Sequence, residues 1–360
     1  MVHAMPELPE VETMARDLDV LTAGTTVRAL LVAHEPMVRP GPEEFAKIIL
    51  NKKIERVGRL GKWIRFRLSS GAEMFVHPRM TGQFVRGEWP GTLDGPWPPH
   101  ARVAFKLSGD GGDLTVFYRD IRKFGRVLAF EQKDVAAFTE SLGLGPDPLE
   151  TSREQFLEIL AARKNKLKSV LLDQRVLAGL GNIYADESLF AAKIHPLRPA
   201  SDLAPREAGT LLKEIVRILE LAIQNRGSTV SNYQSLSEPG GYQLNHQVYG
   251  KAGRPCPVCG GTLLRTVVSG RSTVYCPGCQ PAGDKEREAR DREALALAPK
   301  SAKTEEKTPK APRARQDRPA ATAPEASRTP KPPADAETSK TPKSRGAAKA
   351  PGTMKKVPGR

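Results

Sequence analysis

The sequence predicts an α+β chain of several domains: an N-terminal helix with an antiparallel β-sandwich, a helical domain, a small cysteine module and a disordered tail. Three observations carry this. Hydrophobic periodicity runs helical, then alternating, then helical again over the first 225 residues. The four cysteines all fall between 256 and 279. From 281 to 360 there is no Phe, Tyr or Trp.

In MPELPE, a Pro with acids around it suits the first turn of a helix. Val11, Ala15, Leu18 and Leu21 then recur at helical spacing, which predicts a helix over 8–22. In KWIRFRL (62–68) the period changes: Ile64, Phe66 and Leu68 alternate with Trp63, Arg65 and Arg67, as in a strand. AEMFVH, RVAFKL, DLTVFY and GRVLAF repeat the pattern, separated by turn material such as SSG and SGDGGD. The expected β domain covers 5–135. A linker over 136–152, containing GLGPDPLETS, leads into helices expected at 153–162, 166–174, 183–193 and 205–225. The helical domain closes at 242 with a loop over 226–241, RGSTVSNYQSLSEPGG, rich in Gly, Ser and Asn.

CPVC (256–259) and CPGC (276–279) give C-x2-C-x16-C-x2-C. Two thiolate pairs on tight turns close a tetrahedral shell around Zn²⁺, so Cys256, Cys259, Cys276 and Cys279 are expected to hold one structural zinc. The intervening TLLRTVVSGRSTVY reads as two strands and a turn, making 243–281 a zinc ribbon. Two disulfides are the competing assignment. They disagree with the intracellular setting suggested by a chain lacking a signal peptide or a long apolar run. A cytoplasmic protein with no membrane contact and no redox cofactor is expected.

Net charge is +15, and residues 281–360 hold 20 basic against 11 acidic side chains. So polar a tail buries too little apolar surface to offset its ordering entropy, and 282–360 is expected to be disordered. Positive charge on both parts of the chain favours nucleic acid as partner. The tail itself suits non-specific contacts with DNA, or with a protein.

KNKLKSVLLDQRVLAGLGNIYADESLFAAKIHP (164–196) reads as two helices joined by a glycine-containing turn, with Asn182 at the N-cap position. Capping and core packing explain such a segment by themselves. Its exposed backbone N–H groups, with Lys164, Lys166 and Lys168 beside them, would also suit a phosphate. YRDIRKFG (118–125) sets Arg122, Lys123 and Phe124 between two strands. This is either a solvated charge pair beside a core Phe or a wedge for a base stack, and Met80 in HPRMTG is equally open.

Taken together, PELPEVE, GKW, HPRMTG, DIRKFG, GLGNIYADESLFAAKIHP, QVYGKAG and CPVC…YCPGCQ, in this order, resemble the bacterial formamidopyrimidine-DNA glycosylases over about residues 5–280. Leu in PELPE sides with that branch over endonuclease VIII, where Gly is usual. The resemblance implies a monomeric base-excision repair glycosylase/AP lyase acting on 8-oxoguanine and formamidopyrimidines in damaged duplex DNA. It also implies that the helical domain is a helix–two-turn–helix domain. Pro6 corresponds to the family's N-terminal nucleophile, forming a Schiff base at C1′ before β,δ-elimination. Glu7 would be the acid/base, with Glu10 in support. Lys62 matches a turn lysine beside the damaged nucleotide, and Arg271 the ribbon arginine credited with the late elimination.

Met80, Arg122 and Phe124 match the residues that fill the void left by the flipped base. His100, Lys123, Lys164 and Asn182 match DNA-contacting positions, and Lys168, beside the turn, is expected to bind DNA with them. Ser228, Thr229, Val230, Ser231, Asn232 and Tyr233 match the loop that reads the extruded base. Pro78 and Lys123 depart from commoner residues, and the larger departure is MVHA ahead of Met5. Pro6 has a free amine only if synthesis starts at Met5 or a protease exposes it, and Met5 is the expected start. Two rivals are an endonuclease VIII-like preference for oxidised pyrimidines and a non-catalytic lesion-binding protein with Pro6 blocked.

Overall fold

The computed structural model describes residues 5–228, 236 and 240–283, which belong to one compact unit. The readings that fall on 229–233 and on the tail beyond 283 lie outside the described residues.

Helix α1, Leu8–Thr22, spans the residues its periodicity predicts and lies against a two-layer β domain. Strands β1 (Thr26–Val32) and β2 (Val38–Arg39) are followed by helix α2 (Pro42–Ile49), a segment not expected from sequence. Seven strands follow: β3 (Ile54–Leu60), β4 (Trp63–Leu68), β5 (Glu73–His77), β6 (Gly82–Gly87), β7 (Ala101–Gly109), β8 (Gly112–Asp120) and β9 (Arg126–Phe130). One sheet runs β1-β7-β8-β6 and the other β2-β9-β5-β4-β3. Every pairing is antiparallel except β2 with β9, two residues long, which is parallel.

The alternation in β4 sets its faces. Ile64, Phe66 and Leu68 join Val11, Met14 and Leu18 of α1 and Val103 and Phe105 of β7 in one core between the sheets. Trp63 points to the outer face, where it packs with Phe75 and Leu128. That face is covered by α3 (Gln132–Ser141), whose Phe138 stacks on Phe130. Residues 136–141 are therefore helical where a linker was expected. The polar, weakly periodic segment hides two aromatic-facing residues that tertiary packing makes decisive.

The helical domain contains α4 (Arg153–Ala161), α5 (Leu167–Leu172), α6 (Asn182–Ala191) and α7 (Pro205–Gln224), each within a few residues of its expected span. Helix α6 is buried on all sides from Ile183 to Phe190, because four parts of the chain converge on it. The ribbon hairpin pairs β10 (Leu264–Val268) with β11 (Arg271–Tyr275) across Ser269-Gly270. Both turn residues have positive φ, as a two-residue hairpin turn requires. Phe190 of α6 joins the ribbon's own small core with Val274 and Cys276. No helix among the described residues is long and apolar enough to cross a membrane.

Candidate active site

The segment of chain entering α1 is pinned to the glycine turn before α6. Leu8 N–H donates to the Gly179 carbonyl at 3.0 Å. Glu7 reaches further: its carboxylate accepts Ile183 N–H at 3.0 Å and Tyr184 N–H at 3.4 Å, and so caps α6 from 176 positions away in sequence. Asn182, expected as the N-cap, is instead the first helical residue, after Gly181. A Cβ at 181 would lie 2.2 Å from the Glu7 carboxyl carbon, so any side chain there would push Glu7 off the α6 amides. Pro6 is buried at the head of this arrangement.

Burial pushes the Glu7 carboxyl up to about 7, against the pull of Lys62 and of the two α6 amides. A helix N-terminus stabilises a carboxylate by at most about 2 kcal/mol, whereas full burial shifts a group by several pKa units, so burial wins. Lys62, in the turn between β3 and β4, is itself buried, which lowers its pKa while Glu7 opposes the shift and Arg271 reinforces it. Glu7, Lys62 and Arg271, from three separate parts of the chain, thus share one electrostatic site. Arg271 is exposed at the start of β11.

The raised Glu7 pKa has a cost in stability. The unfolded chain ionises this carboxyl near 4.5 while the folded one holds its proton to about 7. Stability therefore falls as pH rises through that window and stays lowered above it. Glu7→Gln should remove the penalty and stabilise the protein at pH 8 by up to about 3 kcal/mol, with little gain at pH 4.5. Thermal melts of both proteins across this range check it. A gap that narrows as pH rises would mean that the α6 amides hold the carboxylate more strongly than burial opposes it.

Glu10 lies behind Glu7. It accepts Glu7 N–H at 2.9 Å, Tyr184 O–H at 2.5 Å and Ser228 N–H at 2.7 Å. Burial raises its pKa too. Asn182 donates to the Ser272 carbonyl at 3.0 Å, and it lowers the otherwise burial-raised pKa of Tyr249 in the QVYG segment. Glu187 fixes that segment by accepting the N–H groups of Gln247, Val248 and Tyr249 at 2.7–3.0 Å.

Lys168 departs from its expected role. It is fully buried, paired with Asp186 at 2.6 Å, and donates to the Ser272 carbonyl and Thr273 hydroxyl. Its ammonium is committed to docking β11 on α5 and α6, not offered to a phosphate. Lys164 is exposed in the loop before α5, and His100 is exposed at the start of β7; among the described contacts neither touches the Glu7 cluster.

The other expected group does assemble. Met5, Arg79, Met80, Lys123 and Phe124 line one cleft of about 550 Å³. The Arg122 guanidinium lies 4.8 Å from the Phe124 ring centre and 2.7 Å from the Met80 sulfur, while Phe124 stays half exposed. Asp120 holds the two loops together. Its carboxylate accepts the Thr81 hydroxyl, Arg122 N–H at 3.1 Å and Gly125 N–H at 2.7 Å. Asp120, Tyr184 and Tyr249 had no assignment from sequence. An Asp two residues before Arg122 carries the local signature of an Asx turn, so Asp120 alone could have been found there.

The four cysteine sulfurs lie within 4.8 Å of one another, with Cys256–Cys279 at 3.8 Å and Cys259–Cys276 at 3.4 Å. Tetrahedral Zn–S bonds of about 2.3 Å need sulfurs roughly 3.8 Å apart. Val258 N–H and Cys279 N–H also point at Cys256 and Cys276 sulfurs, as they do toward thiolates. The set fits one structural Zn²⁺, and with four protein ligands it leaves no position for catalysis.

A β-sandwich whose first helix is capped onto a helix pair, with a four-cysteine ribbon latched to the same pair, is the architecture of one class of base-excision DNA glycosylases. Family models match in three places: the formamidopyrimidine-DNA glycosylase N-terminal domain over residues 5–127, the H2TH domain of that enzyme over 144–234, and the zinc finger found in FPG and IleRS over 253–282. The formamidopyrimidine-DNA glycosylase of Chloroflexus aurantiacus is 40% identical over 279 residues, covering 77% of this chain and 98% of that one. That of Thermus thermophilus is 40% identical over 285 residues, covering 78% and 100%. Among solved structures, Lactococcus lactis Fpg in complex with DNA containing an abasic site aligns with a TM-score of 0.70 at 34% identity, covering 77% of this chain and 100% of that one. The crystal structure of MutM (Fpg) from Thermus thermophilus gives 0.67 at 38%, with the same coverage. The chain belongs to the formamidopyrimidine-DNA glycosylase family.

Proposed function

We propose that the protein removes 8-oxoguanine and formamidopyrimidines from duplex DNA through a Schiff base on Pro6. One observation carries the reading: Glu7, next to Pro6, is buried, held near neutral pKa and faced by Lys62, on which Arg271 also acts. A free Pro6 nitrogen attacks C1′ of the deoxyribose, and the base departs with its bonding pair and takes up a proton. Glu7 protonates the ring oxygen as the sugar opens. The resulting iminium draws off electrons, so the 3′-phosphate and then the 5′-phosphate leave by β- and δ-elimination, with Arg271 serving the second step.

Met80, Arg122 and Phe124 would enter the stack vacated by the flipped nucleotide, Arg122 facing the orphaned cytosine. His100, Lys123, Lys164 and Asn182 are assigned to the DNA backbone, and the 228–233 stretch to the base. Damaged duplex DNA is the partner, the active species is a monomer, and the bacterial relatives suit action on the chromosome in the cytoplasm. Single-turnover excision on a duplex panel tests the lesion class. The 8-oxoguanine:C duplex should be cut faster than 8-oxoguanine:A and faster than duplexes carrying oxidised pyrimidines. Faster release of oxidised pyrimidines would assign endonuclease VIII-like chemistry instead.

A further inference from the structure

Ser228 is the one residue of the expected base-reading stretch that the structure describes, and it is buried. Its N–H is held by Glu10 at 2.7 Å, and its hydroxyl lies 2.9 Å from His246 Nε2 and 3.4 Å from the Tyr184 hydroxyl. Tyr184 in turn donates to Glu10 at 2.5 Å, and Glu10 holds the N–H of Glu7, the residue joined to Pro6. These contacts form one hydrogen-bonded line from the segment entering the ribbon to the peptide beside the nucleophile.

We infer that His246 is a positioning residue for base excision, orienting Ser228 at the root of the base-reading stretch; this rests on the proposed lesion chemistry. His246 is buried, with the Tyr242 and Tyr249 rings each edge-on at 5.6 Å, which restrains its ring plane. Lys251, the cation nearest it, donates to its backbone carbonyl and leaves the ring nitrogens to other partners. Burial, reinforced by Lys251, holds the imidazole pKa down at about 4, so the ring is neutral at working pH. With its proton on Nε2 it donates to Ser228, Ser228 to Tyr184 and Tyr184 to a Glu10 carboxyl oxygen, so every donor in the line has an acceptor. An apolar residue at 246 would leave the Ser228 hydroxyl with only the long 3.4 Å contact and free its rotamer.

The two ends of the line separate the consequences. Ser228 belongs to the stretch assigned to the base, whereas Glu10 keeps its Glu7, Tyr184 and Ser228 backbone donors when His246 is lost. A duplex with a preformed abasic site has no base to read. His246→Leu should therefore slow single-turnover release of 8-oxoguanine about tenfold, the effect of losing one buried hydrogen bond, and leave strand cleavage at a preformed abasic site within about twofold of wild type. His246→Gln, which retains an N–H donor, should restore most of the loss. An unchanged 8-oxoguanine rate in His246→Leu, or equal slowing on both duplexes with no rescue by Gln, would overturn the positioning role. Wild-type protein that cleaves the abasic duplex but releases no 8-oxoguanine would overturn the lesion assignment, and this inference with it.

Discussion

Protein whose first residue is Pro6 should form a covalent adduct with an abasic or 8-oxoguanine:C duplex under borohydride, and protein that retains residues ahead of Pro6 should form none. The expected difference is complete, because it is one of kind. An amide nitrogen shares its lone pair with the carbonyl and cannot attack C1′, whereas a free α-amine has a reference pKa of about 8 and is partly unprotonated near neutrality. The structure sharpens the pH dependence. Attack needs the amine without its proton, a fraction that rises toward about 8. Ring opening needs Glu7 with its proton, a fraction that falls above about 7. The product of the two gives a bell with its maximum between those values. Glu7→Gln should lower the rate by two or more powers of ten and remove the limb that Glu7 contributes. Intact mass on each preparation fixes the N-terminus independently. A trapped adduct on the extended form, with its mass verified, would place the nucleophile elsewhere in the chain.

Much of this was legible in the sequence, and the boundary follows a physical line. Most features that a short window dictates were visible, the short helix α2 being an exception. The period of α1, the alternation of β4 and the spacing of the cysteines depend on residues within one or two turns, one strand or one hairpin. What was hidden depends on partners far apart. Glu7 reads locally as a helix-start acid, yet its capping target is α6, because Gly181 lets the N-terminal segment approach closely enough. The parallel β2–β9 pair joins residues some 90 positions apart and has no turn signal to announce it. Helix α3 looks like linker because its apolar residues, Val135 and Phe138, matter only once Trp63 and Phe75 are beneath them. Lys168 misled for the same reason. In KNKLK it looks like one of three solvated cations, and only Asp186, 18 positions on, and β11, a hundred on, reveal that it is interior.

That buried pair carries the second large effect. Asp186 accepts Val274 N–H at 3.1 Å while holding Lys168, and Lys168 also binds the Ser272 carbonyl, so β11 is fastened to the helical domain on both sides of Thr273. Burial pushes Asp186 up to about 6 and lowers Lys168 although each attracts the other, so the pair only partly offsets the cost of burying its two charges. Asp186→Ala should cost about 3–5 kcal/mol, because it strands an ammonium in the interior and removes the acceptor for Val274. The double variant Lys168→Met/Asp186→Asn removes both charges but keeps an acceptor for that N–H, and should recover more than half of the loss. Denaturant melts of the three proteins separate a pair that is needed only once one charge is present from one that stabilises outright. A double variant as unstable as Asp186→Ala would point to the Lys168 contacts with Ser272 and Thr273 as the main fastening. Arg271 immediately precedes these residues, so surviving Asp186→Ala protein should stall after β-elimination and accumulate the product that still carries its 5′-phosphate bond. A wild-type ratio of β to β,δ products in that variant would separate the fastening of β11 from the placement of Arg271.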